Sequence, residues 1–371
     1  MGDVLHTMGK RGSVIGDLGD SRIHWIDVAK VLAVTLVVLY HAAACMGFLF
    51  PNPSGPASTF WAGVSEVALP LRMPLFFVTA GLLAHPSLTR RWREVLRPRV
   101  LSLLWPYVLW SIAFAFIAGF AYRPLNPLGY TIGRLQGLPF ATSAYWFLLM
   151  LPVFFVLAKL LRRGAWVVLA VALALAVAAP WLEVHVFADL HWSFIYGATR
   201  VARYAFWYLL GCYASDLVSR AASLKPLYLV LGGGAAFVLV SWLGSAAEIS
   251  ADLSFVLSLA GVTAMIGVAV WASGFRGIRP VARYFAARTL PIYLIHPMLI
   301  LLIVLAAQRL GWVTGPHDAL ATVLTPIVAA FSIAVAVLAY DRMQGPRTSW
   351  LFSPPTRKRV DRLERASTPV R

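Results

Sequence analysis

Charged residues are scarce in this chain of 371 residues. They make up 13% of the sequence, about half the share found in soluble globular proteins. Hydrophobic residues account for 60%, and the mean hydropathy is +0.75. This composition excludes a soluble globular fold and leaves no room for a large soluble domain. The length matches about ten membrane-spanning helices of roughly 20 residues, joined by short loops. The sequence therefore predicts an all-α, polytopic membrane helix bundle.

Cysteine is nearly absent, and acidic residues are few. Both cysteines, Cys45 and Cys212, lie inside apolar runs. A free thiol behaves there as a small hydrophobic side chain, so no disulfide framework is expected. Acidic residues number 15 against 32 basic residues, which gives a formal net charge of +17. In a membrane protein, an excess of basic residues usually reflects which loops face the cytoplasm and not an acidic partner. We therefore expect no nucleic acid partner.

A tight metal-binding pattern is also missing. His185, His191 and His317 stand near acidic residues in predicted outer loops, but their spacing does not match that of zinc ligands. We therefore expect no metal and no permanently bound cofactor.

Ten apolar runs are long enough, or nearly so, to cross roughly 30 Å of hydrocarbon. The sixth is the weakest, because Arg200 and Arg203 fall in its first half. Residues 1–22 are expected to form a disordered cytoplasmic tail and 23–345 the transmembrane domain. Residues 346–371 form a basic cytoplasmic tail that contacts anionic lipid or is merely solvated. The ten runs are Trp25–Leu49, Trp61–Leu83, Leu101–Phe120, Tyr145–Leu161, Trp166–Leu182, Ile195–Ala214, Leu227–Leu243, Leu253–Trp271, Leu290–Ala307 and Ala319–Tyr340.

Basic residues are distributed unevenly between the two sets of loops. With the amino terminus in the cytoplasm, 25 of the 32 basic residues fall in inside segments and three in outside loops. Cytoplasmic loops carry the excess of Lys and Arg. Both termini are therefore predicted to be cytoplasmic, with an even number of helices in the plasma (inner) membrane. The longest outside segment, Ala121–Ala144, is rich in Gly and Pro and is expected to be an ordered loop.

Polar residues within the spans are the candidates for chemistry, because an ionisable group in hydrocarbon is costly and usually has a function or a partner. Lys30 and His41 lie eleven residues apart in the first span. This spacing puts them within roughly 20° on one helix face and about 16 Å apart along the axis. A cation at the cytoplasmic mouth is thus aligned with an embedded base. The alternative is a snorkelling lysine and a histidine bonded to a neighbouring helix. Asp27 could pair with Lys30, but it is too far along the helix to orient His41.

The segment from Trp25 to His41 in the first span and the run from Thr289 to His296-Pro297 in the ninth, together with shorter motifs between them, resemble the membrane-bound acyltransferase family 3. The segment from Trp25 to His41 is similar to the family's first helix, in which a basic residue precedes the proposed catalytic histidine by eleven positions. Lys30 stands where most members have arginine. Ser102 and Ala80 depart from the family, which often has arginine and serine at these positions. The other matches are Met73-Pro74-Leu75-Phe76-Phe77 with Gly81, Arg99 through Trp105-Pro106-Tyr107, Tyr145-Trp146-Phe147-Leu148, Leu210-Gly211, and the run from Thr289 to His296-Pro297.

The resemblance implies an integral membrane O-acyltransferase with His41 as general base. The donor would be acyl-CoA, with acetyl-CoA favoured, and its phosphates would dock at the cytoplasmic cations Lys30, Arg93, Arg97 and Arg99. The acceptor would be a hydroxyl of a glycan, glycolipid or other envelope or exported molecule. Membrane lipid is the remaining expected partner, and no oligomeric state is predicted.

Four further residues are candidate substrate contacts. Arg72 is a mid-span charge that needs a partner or a water-filled cavity, and Glu66 is a possible counter-ion on the same helix. Arg200 and Arg203 could contact an anionic or hydroxylated acceptor, or snorkel to outer headgroups. His296 could line the catalytic cavity from the opposite wall, or bond a backbone carbonyl as a core histidine.

A different class of function remains open on the residues alone. A multi-pass transporter or polysaccharide-export protein without acyl transfer would also have ten helices and buried charges. Against it, the sequence contains no convincing pair of inverted halves with matching broken helices. A membrane scaffold would explain neither His41 nor the inside arginines between positions 90 and 99.

Overall fold

The computed structural model describes residues 19–49, 55–247, 249, 252–311, 318–345 and 347–355. This part of the chain is helical and contains no strand. The expected amino-terminal tail lies mostly outside the described residues, and the first helix begins at Gly19. The basic end of the expected carboxy-terminal tail, from 356 onward, also lies outside them.

Fourteen α-helices are present in the described residues, and a π-helical segment, Arg97–Leu101, joins the third to the fourth. They are α1 (Gly19–Leu49), α2 (Pro56–Ala84), α3 (Trp92–Leu96), α4 (Ser102–Tyr122), α5 (Pro127–Gln136), α6 (Trp146–Leu160), α7 (Ala165–His185), α8 (Trp192–Tyr213), α9 (Ser215–Ala222), α10 (Pro226–Ala246), α11 (Ser254–Ser273), α12 (Ile278–Ala286), α13 (Thr289–Arg309) and α14 (Asp318–Arg342).

Eight helical segments of the described chain are long and apolar enough to cross a membrane. They comprise α1, α2, α4 with the short helices before it, α7, α10, α11, α13 and α14. The predicted all-helical membrane bundle is confirmed, whereas the count of ten and the cytoplasmic termini stay predictions. The two other predicted spans correspond to α6, which is apolar but has only 15 residues, and to α8, which has 22 residues and carries Arg200 and Arg203.

The chain between α5 and α6 enters the bundle, which explains why α6 is short. The Tyr107 hydroxyl donates to the Leu138 carbonyl at 2.6 Å, and the Tyr293 hydroxyl donates to the Ala144 carbonyl at 3.2 Å. Both tyrosines lie within two turns of the start of their helices, α4 and α13. These helices begin at the end of the bundle opposite to the expected outer loop, so the loop segment reaches deep into the bundle. Ala141 turns the chain back with a left-handed φ of 59°. The predicted ordered outer loop is therefore a helix, α5, followed by a segment that lies inside the bundle.

Helix ends that were predicted to face the cytoplasm meet at one end of the bundle. The polar contacts that join them are Lys30 to the Ala286 carbonyl, Arg99 to Ser87, Lys159 to the Leu88 carbonyl, Arg288 to Asp341 and Arg97 to the Pro354 carbonyl. The helices thus alternate in direction as the loop charges predict. We call this the inner end of the bundle and the opposite end the outer end.

Two glycines allow α2 and α8 to pack backbone to backbone. A Cβ atom at Gly81 would lie 2.1 Å from the Tyr208 carbonyl oxygen, and one at Gly211 would lie 2.3 Å from the Val78 oxygen. Only glycine permits such an approach. Both belong to the motifs noted above, so part of the resemblance reflects packing. This crossing fixes the position of α2, which carries Arg72, relative to α8, which carries Arg200.

Candidate active site

Two histidines from the first and thirteenth helices meet inside the bundle. The Nε2 atom of His296 lies 3.4 Å from the Nδ1 atom of His41, and the ring centroids are 5.0 Å apart. His296 is fully buried, whereas His41 is partly exposed. The pair therefore has one accessible and one inaccessible imidazole.

Backbone carbonyls fix the tautomers of this pair. The His41 Nδ1 atom lies 2.9 Å from the Val37 carbonyl oxygen, and the His296 Nδ1 atom lies 2.8 Å from the Ile292 oxygen. A carbonyl only accepts, so each Nδ1 carries the proton in the neutral rings. The His41 Nδ1–H is then shared between Val37 and the lone pair of His296, which leaves the Nε2 of His41 unprotonated. An unprotonated imidazole nitrogen is suited to accept a proton.

The face of α1 that carries Lys30 and His41 contacts the chain around α12 and α13. The Lys30 amine donates to the carbonyl of Ala286, the last residue of α12, at 2.8 Å, and His41 contacts His296 on α13. The two residues do share a face. Asp27, the expected partner of Lys30, acts on it electrostatically, but the hydrogen bond of the lysine goes to the backbone.

A cavity of about 170 Å³ at the inner end begins beside Lys30, and we call it the inner cavity. Tyr293, in its wall, lies about 6 Å deeper along α13 than Thr289. The Tyr293 ring centroid is 5.9 Å from that of His296. The inner cavity thus extends from Lys30 toward the histidine pair. Its other wall residues are Phe76, Thr79, Ala80, Leu83, Leu103, Phe147, Leu148, Leu151, Thr289 and Leu290.

The three inside arginines are placed differently. Arg99 donates to the Ser87 hydroxyl and to the carbonyl of Leu83, a residue of the inner-cavity wall. Arg97 donates to the carbonyls of Pro354 and Pro355 and so holds the carboxy-terminal segment against the bundle. Arg93 lies exposed on α3. Only Arg99 is therefore linked to the cavity that Lys30 lines.

Arg72 is buried beside the histidines. Its guanidinium carbon lies 4.0 Å from the centroid of the Tyr40 ring, and its charge acts on His41. Its Nη1 atom is buried with no hydrogen-bond partner among the described residues. Glu66, the possible counter-ion, is exposed and lines a different cavity. Arg72 thus faces an aromatic ring and not a carboxylate.

Arg200 and Arg203 have different environments, although they are only three residues apart. Arg203 forms a two-pronged ion pair with Glu183, with Nη2 at 2.6 Å from Oε2. Arg200 lies over the ring of Trp146 at 4.6 Å and that of Tyr196 at 5.1 Å. Its Nη1 atom is buried and unpaired within the part of the chain that the structure covers. Of the two, only Arg200 has a buried guanidinium nitrogen without a partner among the described residues.

A cavity with a volume of about 830 Å³ lies beside these arginines, and we call it the outer cavity. Arg200, Arg203 and Glu183 line it, and so does Tyr204, on which Arg72, Arg200 and Arg203 all act electrostatically. Four serines add hydroxyls to its wall, namely Ser241, Ser245, Ser254 and Ser258. The outer cavity therefore joins positive charge with aromatic and hydroxyl-bearing walls.

The predicted site residues do not all lie together, and the prediction from the sequence missed three aromatic residues. His41, His296, Arg72 and Arg200 surround the centre of the bundle, whereas Arg93 and Arg97 stay at its inner end. Tyr293, Tyr204 and Trp146 link the members of the central group. Spacing could have indicated the tyrosines, since Tyr293 precedes His296 by three residues and Tyr204 follows Arg200 by four, which places each pair on one helix face.

No group of three potential metal ligands occurs among the described residues. The Nδ1 atom of His185 faces the Trp181 carbonyl, His191 bonds Ser193, and His317 lies outside the described part of the chain.

Comparison with known proteins places the chain in a family. A sequence-family model described as an acyltransferase domain matches residues 23–341. The inner membrane protein YcfT of Escherichia coli (strain K12) is 25% identical over 358 residues, which cover 90% of this chain and 96% of the relative. No solved structure matches. The histidine pair, both cavities and all four central site residues lie within the matched range. The chain therefore belongs to the membrane-bound acyltransferase family 3, as a multi-pass acyltransferase of the inner (plasma) membrane.

Proposed function

We propose that the protein transfers an acyl group, with acetyl favoured, from cytoplasmic acyl-CoA to a hydroxyl of a carbohydrate or related envelope molecule. The observation that carries this proposal is the place of the His41–His296 pair. The inner cavity approaches the pair from the side of Lys30. On the other side, Tyr204 in the wall of the outer cavity interacts with Arg72, whose charge acts on His41. A donor and an acceptor on opposite faces of the membrane can thus meet at one base.

In the transfer, the Nε2 atom of His41 takes the proton of the acceptor hydroxyl as the oxygen attacks the thioester carbonyl. The carbon–sulfur bond then breaks, and the imidazolium returns the proton to the leaving CoA thiolate. His296 accepts a hydrogen bond from the Nδ1–H of His41 throughout, so it orients the base and stabilises the charge that forms on it. His296 is a positioning residue in this scheme and not a substrate contact.

The donor enters from the inner end. Lys30 and Arg99 bind its phosphates there, with Arg93 and Arg97 contributing positive charge at the same surface. About 16 Å separate Lys30 from His41 along α1, a span comparable to an extended pantetheine arm. Desolvated, fixed charges stabilise a developing oxyanion better than water does. Arg72 supplies such a charge beside His41, and its unpaired Nη1 is available to the oxyanion.

The test is CoA release from acetyl-CoA by purified protein when an extract of its own envelope glycans is added. A general base contributes about 10²–10⁴-fold to the rate, so His41→Ala should lose nearly all release. His41→Gln should lose as much, because an amide can replace a hydrogen bond but takes no proton at neutral pH. His185→Gln, on the exposed end of α7, is the matched control and should keep the parental rate. Substantial turnover by the folded glutamine variant would contradict the role of His41.

A further inference from the structure

We propose that the acceptor is anionic and that its carboxylate or phosphate binds Arg200 in the outer cavity while its sugar ring lies on the aromatic wall. This inference rests on the proposed acyl transfer and assigns the substrate class of its acceptor site.

The guanidinium of Arg200 is not fully hydrogen-bonded. The Nη1 atom of Arg200 is buried and has no hydrogen-bond partner in the described chain. A buried donor without a partner is costly, and an unpaired charge in a membrane span is costlier. Trp146 and Tyr196 lie over the guanidinium, but neither residue provides a hydrogen bond to Nη1. A bound anion would supply that acceptor.

The neighbouring charges favour the same reading. Arg203 is neutralised by Glu183, so that pair contributes little net charge. Arg72, whose Nη1 atom is equally unpaired, acts on Tyr204 together with Arg200. Two positive charges without a carboxylate partner among the described residues therefore act on one tyrosine in the wall of the outer cavity. The remaining carboxylate of the wall, on Glu66, belongs to an exposed residue. The field at Arg200 is thus positive, which selects an anionic ligand.

The walls of the outer cavity match the rest of such a ligand. Trp146, Tyr196, Tyr204 and Trp207 present aromatic rings, and an apolar body with a polar tip makes Trp and Tyr suited to amphipathic ligands. Serines of α10 and α11 line the same cavity. A volume of about 830 Å³ is within the range of ligand sites. A wall that combines aromatic rings with hydroxyls fits a sugar ring better than it fits a lipid chain.

The geometry also orients the acceptor toward the base. Tyr293 acts electrostatically on Arg200, and its ring lies beside His296, which contacts His41. One tyrosine thus separates the anion site from the histidine pair. The proposal therefore has the anionic group at Arg200 and a hydroxyl of the same sugar on the side of the histidine pair.

Binding tests the proposal independently of turnover. The protein is purified in a detergent without a sugar headgroup, and thermal shifts are measured with octyl β-D-glucoside, octyl β-D-glucuronide and octyl β-D-glucoside 6-phosphate below their micelle concentrations. The two anionic probes distinguish a carboxylate from a phosphate. We expect at least one of them to stabilise the parent more than the neutral glucoside. Arg200→Gln should abolish that difference, Arg200→Lys should keep part of it, and Arg134→Gln, which removes an exposed outer arginine, should leave it intact.

Turnover then separates this inference from the proposed function. With an anionic acceptor, Arg200→Gln should raise the acceptor KM by roughly tenfold or more, the expected loss for one charge-assisted contact. CoA release with neutral acceptors only, or equal binding of neutral and anionic probes by the parent, would overturn the anionic acceptor and leave acyl transfer standing. An equal Arg200-dependent shift with phosphatidylglycerol, which has no sugar, would assign the site to lipid headgroups and overturn it as well. Arg200-dependent glucuronide binding without any CoA release would support the anion site and contradict the proposed transfer.

Discussion

The Nδ1 proton of His41 is shared between the Val37 carbonyl and the Nε2 atom of His296, which lies 3.4 Å away. If His296 orients His41, replacing it with alanine should lower kcat and leave both KM values nearly unchanged. A neutral hydrogen bond is worth about 0.5–1.5 kcal/mol, so we expect a fall of roughly 3- to 10-fold. His296→Gln should retain most of kcat, because its amide oxygen can accept the same bond.

The same variants distinguish a positioning role of His296 from a role as a substrate contact. A substrate contact would raise the acceptor KM in the alanine variant and spare kcat. Thermal unfolding of both variants controls for the cavity that the alanine leaves in the buried core. Parental kcat in His296→Ala would refute the positioning role.

Arg99 and Arg97 offer a test of donor binding. Arg99 contacts the wall of the inner cavity through Leu83, whereas Arg97 contacts the carboxy-terminal segment. Replacing Arg99 with alanine should raise the KM for acyl-CoA by about tenfold or more, since a hydrogen bond to a charged group is worth about 1.5–3 kcal/mol. Arg97→Ala should have a smaller effect, and the acceptor KM should move little in either variant.

The matched control for donor binding is Arg163→Ala, which removes an exposed arginine from another inside loop. Acyl-CoA titrations on folded, detergent-purified protein measure the difference. Equal affinities in the Arg99 and Arg163 variants would reassign Arg99 to holding α2 against the start of α4.

Close packing at the crossing of α2 and α8 gives a prediction about stability. The Cβ atom of Gly81→Ala would lie 2.1 Å from a backbone oxygen that cannot move aside. Overpacking of this kind costs about 1–3 kcal/mol, so the variant should unfold at a lower temperature and lose activity with it. Gly232→Ala is the control, because nothing lies within 4 Å of a Cβ atom there. Equal melting temperatures for the two variants would show that the crossing is looser than the structure has it.

Eight of the ten predicted spans correspond to long apolar helices of the described chain, because hydrophobic length is a local property. Residue spacing also placed Lys30 and His41 on one face, and both contact the chain around α12 and α13. What it missed depends on contacts between distant segments. The entry of residues 138–145 into the bundle is determined by tyrosine hydroxyls on α4 and α13, and local composition carries no signal for it.

The candidate site shows the same limit. The sequence does not show that Glu183, twenty residues before Arg203, forms an ion pair with it. It therefore does not show that Arg200 is the one left without a carboxylate partner. The meeting of His41 with His296 joins residues 255 positions apart. The resemblance named the motifs that carry both histidines, but only the packing of α1 on α13 brings the rings together.

Orientation in the membrane is the last prediction, and exposed positions on opposite ends of the bundle test it. Leu125 follows α4 at the outer end and is fully exposed, and Leu224 follows α9 at the inner end and is 53% exposed. The native thiols of Cys45 and Cys212 are buried, so they should react slowly. In intact cells an impermeant thiol reagent should label Leu125→Cys and should label Leu224→Cys only after permeabilisation, because the inner end carries the excess of basic residues. Labelling of Leu224→Cys from outside would invert the bundle and place Lys30 and Arg99 on the wrong side of the membrane for cytoplasmic acyl-CoA.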